Sequence, residues 1–188
     1  MNLTLGVVVA STRPGRVGPL IADWFLDTAA QDRDVSTVRL DLQEYALPIF
    51  DEPHHPALGI YEHDHTRRWS SAVAGADAFV FVMPEYNAGP PPSLVNALNY
   101  LHREWAYKPA AFISYGGISG GLRAVQSLKP MLNALRLVPI NESVVLANVH
   151  AQIGDKGFGG TPQQAEAGVS MLKELHRVSA ALAGLRAT

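Results

Sequence analysis

Residues 3–18 have the sequence LTLGVVVASTRPGRVG, and the fold follows from this stretch. Residues 3–10 form a continuous apolar run, which is typical of a strand buried on both faces of a parallel sheet. A loop with glycines and arginines comes next, and apolar residues then recur at helical spacing over residues 19–30. The stretch therefore predicts a buried strand, a short loop and a helix.

The same alternation of apolar runs and helical patterns continues along the chain. Strands are predicted at residues 3–10, 35–42, 78–83, 110–115 and 137–146, the last interrupted near Pro139. Helices are predicted at 19–30, 66–76, 93–105 and 122–135, where Pro130 should kink or split the helix, and from Thr161 as N-cap with Pro162 at the first position. Residues 43–65 are predicted to be irregular. Five strands separated by helices predict an α/β fold with a parallel sheet and right-handed crossovers.

Length and composition set limits on function. The 188 residues fit one domain over residues 1–188, and a formal net charge of −2 argues against nucleic acid or an anionic membrane as partner. The absence of cysteine excludes disulfides, iron–sulfur clusters and cysteine zinc sites. The apolar start lacks a basic region, and no apolar run approaches the roughly 20 residues of a membrane span. We therefore expect a cytoplasmic location.

In such a sheet the ligand lies outside the carboxyl ends of the strands, so the loops after the first, third and fourth predicted strands matter most. Loop 1, residues 11–18 (STRPGRVG), places hydroxyls, glycines and arginines at a helix N-terminus, a composition suited to a phosphate. It lacks both GxxxxGK[ST] and GxGxxG, the two glycine motifs that would indicate other nucleotide folds. Taken alone, it is equally consistent with a plain Gly/Pro turn with solvated arginines.

Loop 2 and loop 3 follow the third and fourth predicted strands. In loop 2, residues 84–93 (PEYNAGPPPS), three prolines give stiffness, Asn87 could bond the polar edge of a flat heterocycle, and Tyr86 packs nearby. In loop 3, residues 114–121 (SYGGISGG), four glycines permit close approach to a ligand. Alone, loop 2 could be a rigid connector with Ser93 as a helix cap, and loop 3 a flexible connector. All three loops meet at one sheet edge, which favours a common site.

STRPGRVG, PEYNAGPPPSLVNALNYLHREW and SYGGISGG, in this order and spacing, resemble the NADPH-dependent FMN reductase family, including its azoreductase and quinone reductase members. The resemblance covers residues 5–143. It implies a flavodoxin-like three-layer sandwich, strand order 2-1-3-4-5 and non-covalent FMN. One departure is Ala10–Ser11, where the family usually has Gly-Ser.

The resemblance also implies roles for individual residues. Loop 1 would hold the phosphate of FMN through Ser11, Arg13, Val17 and Gly18, while Arg16, one turn further on, could instead face solvent or the nicotinamide phosphate. The isoalloxazine would be bordered by Pro84, Glu85, Tyr86 and Asn87, and on its other side by Ser114, Gly116 and Gly117. Members are commonly dimers or tetramers with sites at the interface, so a homodimer or homotetramer is expected.

The implied activity is hydride transfer from NADPH or NADH through FMN to a quinone, an azo compound or free flavin, with ping-pong kinetics. The cofactor performs the chemistry, so no catalytic side chain is assigned. The arginines near the site favour the 2′-phosphate of NADPH. The alternatives are a flavodoxin-type electron carrier, disfavoured by the low net charge and by Arg13 with Arg16, and an FMN-binding redox sensor with little turnover.

Several weaker signals are also open to interpretation. The histidines at 54, 55, 63 and 65 lack a helical i, i+4 pair, so a solvated loop or part of a substrate entrance is favoured over a metal site. Trp24, Phe25 and Trp69 are expected in the core. Trp105 and Tyr107 could lie at a dimer face near the flavin or pack within the subunit. Residues 154–160 are interpreted as a flexible loop.

Overall fold

The computed structural model describes residues 2–155 and 157–186. Five parallel strands form one sheet in the order β2-β1-β3-β4-β5, which confirms the predicted strands and their order. The strands are β1 (Leu3–Val9), β2 (Val35–Asp41), β3 (Ala78–Pro84), β4 (Pro109–Tyr115) and β5 (Val138–Leu146). The register between β4 and β5 shifts between Ala110 and Phe112, opposite Pro139 and Ser143, as the proline without an N–H led us to expect.

Helices cover both faces of the sheet and complete three layers. The helices are α1 (Gly18–Ala29), α2 (Leu42–Tyr45), α3 (Asp64–Ala74), α4 (Pro92–Asn99), α5 (Leu122–Ala134) and α6 (Pro162–Arg186). One core lies between the sheet and α1 with α6, and the other between the sheet and α3, α4 and α5. Along β1, Val7 and Val9 belong to the first core and Val8 to the second, as the alternation of side chains in a strand requires. The flavodoxin-like α/β sandwich is thus confirmed.

Side chains cap the N-termini of two helices, α6 and α2. The Thr161 Oγ1 accepts a hydrogen bond from the Gln164 N–H at 3.2 Å, and the Gln164 side chain accepts one from the Thr161 N–H at 2.7 Å. This reciprocal capping box confirms Thr161 as the N-cap of α6. The Asp41 carboxylate caps α2 by accepting from the Gln43 N–H at 3.1 Å.

Two local predictions were wrong, and of the kink or split predicted at Pro130 the structure contradicts the split. The helix predicted over 93–105 ends at Asn99, and Arg103–Trp105 form a separate 3₁₀ turn. Pro130 lies inside α5 without splitting it. Because proline has no N–H, the carbonyl of Gln126 loses its helical hydrogen bond. Both residues are exposed, so water can bond to that carbonyl instead.

Residues 154–160 are not a flexible loop throughout. The short strands β6 (Ile153–Gly154) and β7 (Gly157–Phe158) pair antiparallel. Phe158 is buried and packs edge-on against Trp24, with 5.3 Å between ring centroids. The aromatic contact anchors this hairpin on α1, a tertiary effect that its glycine content could not reveal.

The tryptophans, Phe25 and Tyr107 lie in the core or at the amino edge of the sheet. Phe25, Trp69 and Trp105 are fully buried, and Trp24 is partly buried. The Trp105 indole N–H donates to the Leu98 carbonyl at 3.2 Å, so this residue packs within the subunit and not at a dimer face. Tyr107 precedes β4 at the amino edge of the sheet, away from the predicted flavin site. No helix in the described part of the chain is long and apolar enough to cross a membrane.

Candidate active site

A cavity of about 440 Å³ opens at the carboxyl edge of the sheet, a size in the range of small-molecule sites. All three predicted loops contribute to its wall, together with a segment after β5. The lining residues are Arg13, Arg16, Val17, Pro84, Glu85, Tyr86, Tyr115, Gly116, Gly117, Asn148, Val149, His150 and Ala151.

Apart from each other, two buried hydroxyl groups beside this cavity have no hydrogen-bond partner among the residues that the structure describes. They belong to Ser11, at the start of loop 1, and Tyr115, at the end of β4. Both lie against Gly18, since a Cβ there would come within 2.5 Å of Ser11 Oγ and 2.8 Å of the Tyr115 hydroxyl oxygen. Burial raises the pKa of Tyr115 well above its usual value, so its hydroxyl stays protonated. Buried hydroxyls without a further partner are unfavourable, and a polar ligand group at this point would supply one.

The two arginines of loop 1 have different surroundings. Arg16 donates from Nη1 to Asp41 Oδ1 at 2.6 Å and from Nη2 to Asp41 Oδ2 at 2.8 Å. Its side chain is 14% exposed and lies in the cavity wall, so most of it faces the protein. Arg13 is exposed, and it makes no ion pair among the residues that the structure describes. Arg13 therefore brings an uncompensated positive charge to the cavity.

Loop 2 contains a tight turn. Tyr86 and Gly89 exchange two backbone hydrogen bonds of 2.9 Å, and Asn87 and Ala88 have φ values of 50° and 62°, as in a type I′ turn. Asn87 is exposed at the turn tip and lies outside the cavity wall. Ser93 does not cap α4, because its hydroxyl donates to the Ala10 carbonyl at 2.5 Å and ties loop 2 to the end of β1.

Glu85 connects loop 2 to loop 3. Its carboxylate, 5% exposed, accepts from Ser119 Oγ at 2.8 Å and from Arg123 Nε at 2.7 Å, and it forms an ion pair with Arg123. The Arg123 guanidinium holds the pKa of Glu85 below its usual range, so the carboxylate is ionised. The acid thus joins loop 2 to loop 3, which lie side by side in the cavity wall.

Loop 3 brings backbone to the cavity wall. Gly116 and Gly117 line the cavity, whereas Ser114 is buried and donates to the Gly120 carbonyl at 2.8 Å, which fixes the shape of the loop. Gly121 has a φ of 88°, and a Cβ there would come within 2.8 Å of the Tyr115 nitrogen, so the close return of the chain requires glycine.

A fourth segment, residues 148–151, was missed in the sequence. The Asn148 N–H donates to the Gly117 carbonyl at 2.8 Å, and the Val149 N–H to the Gly116 carbonyl at 3.1 Å. These bonds bring Asn148 and His150 to the cavity. The segment has no glycine or motif, but its place after β5, at the carboxyl edge, is a signal that could have found it.

The histidines at 54, 55, 63 and 65 lie outside the cavity wall. His65 Nε2 lies 3.0 Å from Asp51 Oδ1, and the Tyr100 hydroxyl donates to the same oxygen at 2.8 Å. Within residues 2–155 and 157–186, no group of three or more His, Asp or Glu side chains is arranged to hold a metal ion. The polar network instead holds residues 51–65 against α4.

The sequence profile of the NADPH-dependent FMN reductase family matches residues 3–151. An NAD(P)H-dependent FMN reductase of Schizosaccharomyces pombe is 41% identical over 70% of this chain and 66% of that protein. Another from Nectria is 33% identical over 93% of this chain and 94% of that protein. More distant matches are named NADPH azoreductase, from Bacillus, and NADPH:quinone oxidoreductase, from Arabidopsis thaliana.

Among solved structures, a flavoenzyme NAD(P)H:(acceptor) oxidoreductase from Paracoccus denitrificans superposes with a TM-score of 0.66. It is 21% identical in sequence, and the alignment covers 96% of this chain and 94% of that one. At this identity the likeness bears on the fold alone, and it agrees with the sheet order described above.

Proposed function

The chain belongs to the NADPH-dependent FMN reductase family, and we propose that this FMN-dependent oxidoreductase takes hydride from NADPH or NADH and passes it to a small acceptor in a ping-pong cycle. The observation that carries the proposal is the buried pair of hydroxyls of Ser11 and Tyr115 beside Arg13. Among the described residues, the hydroxyl pair has no further hydrogen-bond partner and Arg13 has no ion pair. A terminal phosphate needs such donors and such a cation.

We propose the following placement of FMN. Ser11, Arg13, Val17 and Gly18 hold the phosphate, Pro84, Glu85, Tyr86 and Asn87 border one side of the ring, and Gly116 and Gly117 border the other. Ser114 supports loop 3 from beneath through its bond to Gly120. The exposure of Asn87 at the turn tip suits a contact with a ligand edge more than a role in the core.

Bound FMN supplies a carrier that accepts and releases a hydride, and the protein binds and orients it. Arg13 would balance the charge of the phosphate, and the Ser11 and Tyr115 hydroxyls would donate hydrogen bonds to it. The Glu85 carboxylate stays ionised and holds loop 2 against loop 3, next to the proposed position of the ring. Because Glu85 is paired with Arg123 and Ser119, we assign no side chain as general acid or base.

The proposed acceptors are a quinone, an azo compound or free flavin, in keeping with the names of relatives. The test is steady-state oxidation of NADPH by the FMN-loaded protein with one acceptor of each class. Parallel double-reciprocal lines are expected when both substrates are varied. Rapid reduction of the bound flavin without multiple turnovers would indicate an electron carrier or sensor instead.

We propose a homodimer at least, because a ring at an open sheet edge needs cover that a two-fold partner can supply. Next to loop 1 lies a groove of about 910 Å³ between the α2 region and α4. Its wall includes Leu47, Ile49 and Val95, and Ile49 is 90% exposed. A second copy of the chain is the occupant proposed for this groove. A cytoplasmic location and a single domain over residues 1–188 stay predictions.

A further inference from the structure

Asp41, the last residue of β2, has a fully buried side chain behind loop 1. Its carboxylate accepts two hydrogen bonds from Arg16, at 2.6 and 2.8 Å, and one from the Gln43 N–H at 3.1 Å. Arg39 Nη2 lies 3.4 Å from Oδ2. These bonds hold the pKa of Asp41 below its usual range despite burial, so the carboxylate is ionised.

Arg16 extends this interaction to the start of loop 1. Its Nη1 also donates to the Ser11 carbonyl at 2.7 Å, and its backbone N–H donates to the Arg13 carbonyl at 3.1 Å. One guanidinium, oriented by Asp41, therefore fixes the backbone of Ser11, and the same residue closes the turn that carries Arg13. Both residues are proposed ligands of the phosphate.

The two arginines of loop 1 therefore differ in how far their charge is neutralised. The bidentate pair leaves Arg16 neutralised by a buried carboxylate, whereas Arg13 has no such partner among the described residues. A guanidinium that left Asp41 to reach a ligand would leave a buried carboxylate with only weaker partners, which is strongly unfavourable. Arg16 is thus held in place and does not share in compensating the phosphate.

We infer that Asp41 is a positioning residue for the cofactor phosphate: acting through Arg16, it fixes Ser11 and loop 1 so that Arg13 alone compensates the phosphate. The inference rests on the proposed function, because it assumes that FMN phosphate binds at loop 1. It goes further in assigning Arg16 to the loop backbone and not to the ligand.

The test compares FMN and riboflavin dissociation constants, measured by flavin fluorescence quenching, for the wild type, Asp41→Asn, Arg16→Met and the double variant. Each single change is expected to weaken FMN binding about tenfold or more and riboflavin binding less than about twofold. The double variant should bind FMN with the same affinity as the single variant that binds it more weakly, because the two residues act as one unit.

Arg39→Gln is the matched control, since Arg39 also contacts Asp41 but makes no bond to loop 1. Its FMN affinity should stay within about twofold of the wild type. Arg16→Lys provides a second measurement if Asp41→Asn does not fold. Lysine keeps the charge but lacks the fork that reaches Asp41 and Ser11 together, so FMN affinity should still fall.

The results separate two failures. Unchanged or stronger FMN binding in Asp41→Asn, full binding in Arg16→Lys, or equal losses for FMN and riboflavin would overturn the positioning role while the proposed function stands. Equal wild-type affinity for FMN and riboflavin would remove the phosphate site itself, and with it the premise of the inference.

Discussion

Gly18 lies so close to Ser11 that a methyl group on its Cα would come within 2.5 Å of the buried Ser11 hydroxyl. The same methyl group would lie 2.8 Å from the Tyr115 hydroxyl and 3.3 Å from Val9 Cγ1. The first residue of α1 must therefore be glycine for loop 1 to pack against β1 and β4. This contact joins the helix start to the two hydroxyls proposed to meet the phosphate.

Gly18→Ala is expected to destabilise the protein by about 1–3 kcal/mol, the usual range for overpacking a closed site. It should also weaken FMN binding, because the Ser11 and Tyr115 hydroxyls would have to move. Urea denaturation and an FMN titration measure the two effects. Gly184→Ala is the control: this exposed helix position has open space around it, and alanine there should raise stability by up to about 1 kcal/mol. Wild-type stability in Gly18→Ala would contradict the packing described.

Glu85→Gln tests the clamp between loop 2 and loop 3. Losing the charge on Glu85 removes the ion pair with Arg123, whose side chain is 61% exposed. We therefore expect the binding free energy of FMN to weaken by about 1 kcal/mol, which is about a fivefold loss of affinity. Riboflavin affinity should fall equally, because both ligands share the ring. Arg177→Gln, which breaks the exposed pair with Glu174 on α6, is the control and should change neither affinity. A loss confined to FMN would argue against a clamp that acts on the ring.

The buried Lys108 should make the free energy of unfolding depend on pH. Its Nζ donates to the Val73 and Ala74 carbonyls at 2.8 and 3.1 Å, yet burial lowers its pKa from 10.5 to about 8. Between these values the unfolded chain binds more protons than the folded one, so the free energy of unfolding should rise with pH. From pH 7.5 to 9.5 the gain should be about 1–2 kcal/mol.

The Lys108→Met variant should lack this rise over pH 7.5–9.5 in urea denaturation. The window ends below pH 10 because burial raises the pKa of Tyr61, Tyr100 and Tyr115, and their titration makes stability fall at higher pH. Equal slopes in the wild type and the variant would show that Lys108 does not titrate in this range.

Ile49→Asp tests the proposed homodimer. Light scattering of the wild type should give a mass of at least two chains, and a charge in the apolar groove should shift the protein toward monomer. Ile118→Asp is the matched control, since Ile118 is 88% exposed but lies on loop 3, outside the groove. A monomeric wild type with full activity would remove the basis for a dimer.

The sequence predicted the sheet well because buried strands such as residues 78–83 are short, uninterrupted apolar runs, and such runs are typical of strands covered on both faces. It also predicted which loops meet, because parallel strands place their carboxyl ends at one edge. The end of α4 at Asn99 and the hairpin anchored by Phe158 on Trp24 depend on tertiary contacts that no local pattern shows.

The site was predicted at the level of loops more than of side chains. Arg13 and Arg16 look equivalent in the sequence, and only the buried Asp41, 25 residues further along the chain, separates their roles. The direction of the Glu85 carboxylate toward Ser119 and Arg123 likewise depends on α5. Residue types and spacing locate a phosphate loop, but long-range ion pairs decide which of its charges is available.

The most direct test of the account is the affinity of Arg13→Ala for FMN and for riboflavin. Arg13 is the cation without an ion pair at loop 1 among the described residues, and charge-assisted contacts of about 1.5–3 kcal/mol predict a tenfold to hundredfold weaker FMN affinity. Riboflavin affinity should barely change, because riboflavin has no phosphate to lose, and the exposed position should leave the fold intact. Unchanged FMN affinity in Arg13→Ala would contradict the placement of the phosphate at loop 1.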